Sequence, residues 1–130
     1  MVSEYGDKVR LVVRDFPLEN VHENALAAAR AANAAELQGK YWQYIELLYR
    51  NQDSLDAASL KRFAEEAGLD LKRFEADISP EARDADIRKD QADGRSVGVN
   101  GTPTIFVNGV KVHRLSAPAF RDAIEAALIQ

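Results

Sequence analysis

Two histidines, two carboxylate pairs and a group of aromatics are the side chains whose types could do chemistry in this sequence. His22 stands just before a helical stretch and His113 at the end of a β-like run, and neither has a carboxylate at a metal-binding spacing. Surface or capping roles are expected for both, and no metal ligand is assigned. Glu65 with Glu66 and Asp84 with Asp86 could pair for acid–base catalysis, but both pairs fall on charged helical stretches, where solvated carboxylates are the ordinary outcome. Tyr41, Trp42, Tyr44 and Tyr49 could form an aromatic cage, yet aromatics three and four apart on an amphipathic helix usually make a core. Cysteine is absent, which removes disulfides, thiolate nucleophiles and thiolate metal sites together. No Gly-x-Ser-x-Gly elbow, phosphate loop or dinucleotide fingerprint occurs, so hydrolysis and nucleotide binding have no supporting motif. No catalytic residue and no cofactor is expected.

Elements that could position a site follow from periodicity. Residues 8–16, K-V-R-L-V-V-R-D-F, form a β-branched run between Gly6 and Pro17 and predict a strand buried on both faces. An Ala-rich helix is expected over about residues 22–38, stopped by Gly39. Tyr41, Trp42, Ile45, Leu48 and Tyr49 predict a second helix whose aromatic face is core. Asp56 caps a third helix with a Leu60, Phe63, Ala64 and Ala67 stripe ending at Gly68, and Asp70 caps a fourth with Leu71 and Phe74. Ser79-Pro80-Glu81 opens a long, half-exposed helix running toward Val97. Asn108-Gly109 between two apolar runs is a hairpin signal, and residues 117–129 predict a closing helix with Phe120, Ile124, Ala127 and Leu128 on one face.

At 130 residues, with 46% apolar and 29% charged side chains, one globular domain is the expectation. A net charge of −4 and no basic stripe argue against nucleic acid as a partner. No window reaches the roughly 18 apolar residues of a membrane span, and residues 1–20 hold no leader-like stretch. As written the chain reads as cytoplasmic, or as a cell-envelope or periplasmic protein if a leader preceded Met1. Three strands among six helices make a small sheet that is short of partners.

Several stretches in this order resemble the DsbA-like thiol-disulfide oxidoreductases, a thioredoxin fold interrupted by a helical domain. They are Y-G-D-K-V-R-L-V-V-R-D-F-P-L at 5–18, Q-G-K-Y-W at 38–42, L-K-R-F-A-E-E-A-G-L-D at 60–70 and, most diagnostic, V-G-V-N-G-T-P-T-I-F-V-N-G at 97–109. The resemblance implies an α/β, thioredoxin-like single domain. Residues of about 1–21 and 98–130 would make its thioredoxin part, and about 22–97 a mostly helical insertion with a connecting helix. It also implies a cis bond before Pro103. Gly101, Thr102, Pro103 and Thr104 then become the candidates for binding an extended peptide or protein substrate, since a proline opening a strand holds the preceding residue extended.

The departure from the family concerns the dithiol. The family places a strand and a Cys-x-x-Cys helix start ahead of the region that begins here, and no cysteine stands anywhere in this chain. Related enzymes that use a serine at that position offer no substitute, because Ser3 falls too far along the expected helix. Enzyme activity is therefore left undecided: the family is oxidoreductase, and this chain alone is expected to be inactive. A sheet without its first strand would expose backbone and apolar surface, so a homodimer is expected. The alternative is the carboxyl-terminal portion of an oxidoreductase whose dithiol segment lies outside this chain.

Overall fold

The computed structural model describes residues 2–129. In chain order it contains α1 (Val2–Tyr5), a 3-10 turn (Gly6–Lys8), α2 (Ala25–Leu37), α3 (Tyr41–Arg50), α4 (Ala57–Glu66), α5 (Leu71–Asp77) and α6 (Pro80–Ser96). The hairpin β1 (Phe106–Val107) and β2 (Val110–Lys111) and the helix α7 (Ala117–Ile129) follow. The chain divides into two units, a helical one, Asp15–Gly98, and one made of the chain through Arg14 together with the chain from Val99 onward.

In the helical unit, short polar side chains start the helices. The Asp56 carboxylate accepts from the Ser59 N–H at 3.4 Å, Asp70 from Lys72 and Arg73 at 3.0 and 3.2 Å, and Ser79 Oγ from Ala82 at 3.3 Å. Glycine stops two of them. Gly39 (φ +71°) and Gly68 (φ +75°) lie in the left-handed region. In each case the next residue's N–H reaches back to the carbonyl five residues earlier, Lys40 to Ala35 and Leu69 to Ala64, both at 3.0 Å.

These turns fold α2, α3, α4 and α5 around a core of small and aromatic residues. Ala31, Ala34, Ala35, Tyr44, Phe63 and Phe74 are essentially buried. The alanine face of α2 lets neighbouring helices come close, and Tyr44 and Phe74, with ring centroids 5.9 Å apart, fill the space. The phenol of Tyr44 donates to the Leu60 carbonyl at 2.9 Å, so its polar end is satisfied inside the core. α6 packs on α2, with Ile87 buried on α6 and an Arg30–Asp84 ion pair joining the two helices at 2.6 and 2.8 Å.

The segment entering this unit is strapped to α6 by polar contacts. The Asp15 N–H donates to Asp90 Oδ2 at 2.9 Å, Gln91 Nε2 to the Pro17 carbonyl at 3.0 Å, and Arg88 pairs with Glu19.

Two expectations need correction. Residues 8–16 were expected to be a strand buried on both faces. Residues 9–18 join no ladder, and the described residues hold a two-stranded sheet instead of three strands. Leu11, Val12 and Val13 are 52%, 62% and 48% exposed. β-branched composition favours extended backbone, but a ladder also needs a neighbour of matching length, and β1 and β2 have two residues each.

The aromatic face of α3 is also divided. Tyr44 and Leu48 are buried, whereas Trp42 and Tyr49 are 54% and 68% exposed. At about 100° per residue, Trp42 and Tyr49 lie about 160° and 140° round the helix from Tyr44, on its outer side.

Candidate functional site

The site begins with backbone geometry around Pro103. The Thr102-Pro103 peptide bond is cis. Thr104 Oγ1 donates to the Gly101 carbonyl at 2.6 Å, closing residues 101–104 into a compact turn. Thr102 is exposed, and among the described residues its backbone makes no hydrogen bond.

The hairpin that follows is built by its turn. Asn108 (φ 46°) and Gly109 (φ 83°) both take positive φ, the combination of a two-residue type I′ turn, and they align Phe106 with Lys111 and Val107 with Val110. The Val112 N–H donates to the Ile105 carbonyl at 2.9 Å, continuing the pairing one step toward the proline turn. Between turn and hairpin lies a cleft of about 320 Å³ whose walls include Asn100, Thr102, Pro103, Thr104, Lys111 and His113.

Behind the hairpin, Ser116 caps α7 by accepting the Ala119 N–H at 3.3 Å, and α7 packs against β1. α7 also holds α1. Arg121 makes a two-pronged contact to Glu4 at 2.9 and 3.0 Å, and Tyr5 donates to Glu125 Oε1 at 3.0 Å. The Arg121 guanidinium holds the Glu4 carboxyl below its ordinary range.

Among the sequence candidates, Gly101, Thr102, Pro103 and Thr104 all lie at this cleft. The carboxylate pairs do not converge on a site: Glu65, Glu66 and Asp86 are exposed, and Asp84 is engaged by Arg30, which lowers its carboxyl pKa. His22 is exposed ahead of α2. His113, read as a surface residue, is exposed but also walls the cleft together with Lys111. Their spacing of two along a strand put both on one side, and only the hairpin's fold shows that this side meets the proline turn. Among the described residues, no group of three His, Cys, Asp or Glu side chains could hold a metal ion.

A family model described as thioredoxin matches residues 1–126. The chain belongs to the thioredoxin family. A solved thioredoxin-like oxidoreductase from Silicibacter pomeroyi is similar over 99% of this thioredoxin-family chain and 74% of its own, with 31% identity and a TM-score of 0.85. The curated relatives it matches are Na(+)/H(+) antiporters. NhaA 1 of Mycolicibacterium vanbaalenii is 38% identical over 111 residues, 84% of this chain and 18% of the antiporter. NhaA 3 of Salinispora tropica is 40% identical over 121 residues, 93% of this chain and again 18% of the antiporter. The chain thus spans less than a fifth of these relatives' length. Among its described residues no helix is long and apolar enough to cross a membrane.

Proposed function

We propose that this chain is a redox-inactive, DsbA-like module of the thioredoxin family that pairs with a second copy of itself and binds extended peptide at the Thr102-Pro103 turn. The observation that carries the reading is an exposed, unpaired Thr102 backbone beside the cleft in a sequence with no cysteine. Thiol-disulfide exchange passes through a mixed disulfide and needs a thiolate, which none of the 130 residues can supply. Binding is the activity that these residues retain, through strand-like pairing of peptide with the Thr102 backbone.

Self-association is supported by the distribution of apolar surface. Among the described residues, Ile124 is the one buried apolar residue of the unit that carries the cleft, while Leu11, Val12, Val13, Val110 and Leu115 of that unit are each roughly half exposed or more. Apolar side chains on an extended segment outside any ladder are the surface that strand pairing with another copy would cover.

A second reading is favoured by the solved relative. It is described as an oxidoreductase, and a quarter of its chain has no counterpart here, which supports reading this chain as part of such an enzyme; the order of motifs in the sequence would make it the carboxyl-terminal portion. Light scattering across a dilution series separates the two. A persistent, folded dimer supports the self-contained module. A monomer that aggregates or unfolds supports the portion of a longer enzyme. An insulin-reduction assay with dithiothreitol is expected to show no rate above the uncatalysed one, and any turnover would sink the redox-inactive reading.

A further inference from the structure

We propose that the cleft beside Pro103 selects extended peptides bearing carboxylate side chains, with Lys111 and His113 setting that preference. The inference rests on the peptide-binding reading and adds the charge of the partner. Lys111 and His113 are two residues apart on β2 and its continuation, so they leave the strand on the same face, and both wall the cleft. Both are exposed, and neither pairs with a carboxylate among the described residues.

The surrounding sequence reinforces the sign. From Gly94 to Arg121 there is no Asp or Glu, so the turn, the hairpin and the start of α7 bring no carboxylate to neutralise Lys111. The unit that carries the cleft holds six Lys and Arg against four Asp and Glu, whereas the helical unit holds eleven against seventeen. The overall charge of −4 therefore hides a positive balance in the unit where the Thr102 backbone is offered to a strand. A strand paired with Thr102 directs alternate side chains to one side, and a Glu or Asp there would meet Lys111 and His113 of the cleft wall.

The test uses the 130-residue chain and three labelled peptides of equal length, Val- and Thr-rich, differing only in central Glu, Gln or Lys residues. Fluorescence anisotropy should rank them Glu, Gln, Lys, with steps of about 1.5- to fivefold, the range of exposed ion pairs, shrinking at high salt. Lys111→Glu should reverse the order, and Lys72→Glu, on α5 and not among the residues lining the cleft, should leave it unchanged. Equal affinity for the three peptides, or an unchanged order in Lys111→Glu, overturns charge selection while peptide binding stands. Failure of all three peptides to bind overturns both readings. The wild-type series decides the matter even if a variant folds poorly.

Discussion

Asn33 donates its amide to Asp15 Oδ2 at 2.7 Å, and the charges of Asp90 and Glu36 act on the same Asp15 side chain. The Asp15 N–H donates to Asp90 Oδ2, so the Asp90 carboxylate is tied to the backbone where the chain enters the helical unit. The phenol of Tyr41 on α3 is pushed up to about 12 by burial and then by the charge of Asp15.

Burial first, and then the charges of Asp90 and Glu36, raise the Asp15 pKa, while the Asn33 hydrogen bond opposes them. A carboxyl with a raised folded pKa favours the folded state below its unfolded pKa, and that contribution is lost as pH rises through the folded value. Asp15→Asn keeps an acceptor for Asn33 without the charge. It is expected to raise the urea midpoint at pH 7 and to leave it nearly unchanged at about pH 3, below the ordinary aspartate range. A midpoint that falls at pH 7 would show that the ionised group is needed.

Asp84 has the opposite signature. The Arg30 hydrogen bond lowers its pKa, so its contribution is present above the unfolded pKa and fades as pH falls through the folded one. The pair is two-pronged, with side chains 20% and 29% exposed. Arg30→Met should cost about 1–3 kcal/mol at pH 7, read from urea unfolding, and less below pH 3.

The Tyr44 hydroxyl can be removed with little change of shape. Tyr44→Phe should cost about 0.5–1.5 kcal/mol, whereas Tyr44→Ala, which empties a site at 0% exposure, should cost about 3–5 kcal/mol. Equal losses from the two variants would mean that the ring contributes little to the core.

At Gly68 an added Cβ would lie 2.9 Å from Lys40 Nζ, the mobile end of a side chain that donates to the Gly68 carbonyl. The lysine can move aside, so the cost of Gly68→Ala comes from φ +75° and should be about 1 kcal/mol, measured by thermal unfolding.

Val12→Lys places a charge on the exposed extended segment, where Val12 is 62% exposed. If that segment is the contact between copies, light scattering should show the mass falling toward that of one chain of 14.4 kDa, with the helical circular dichroism retained. An unchanged dimer would place the contact elsewhere.

The sequence by itself determined the helices and the hairpin. Asp56, Asp70 and Ser79 as caps, Gly39 and Gly68 as stops, and Asn108-Gly109 as a turn act over one to five residues, so their signals are complete in the local string. It also determined the chemistry that these residues lack, because a thiolate depends on residue type and not on geometry.

Tertiary structure decided the rest. Whether residues 9–14 become a strand depends on a neighbouring backbone that no local pattern supplies, and Trp42 is exposed because only one side of α3 meets α2 and α4. Lys111 and His113 became part of the candidate site for the same reason. The register of the hairpin turned their shared face toward the Pro103 turn, and that register is a relation between segments that residue types alone do not carry.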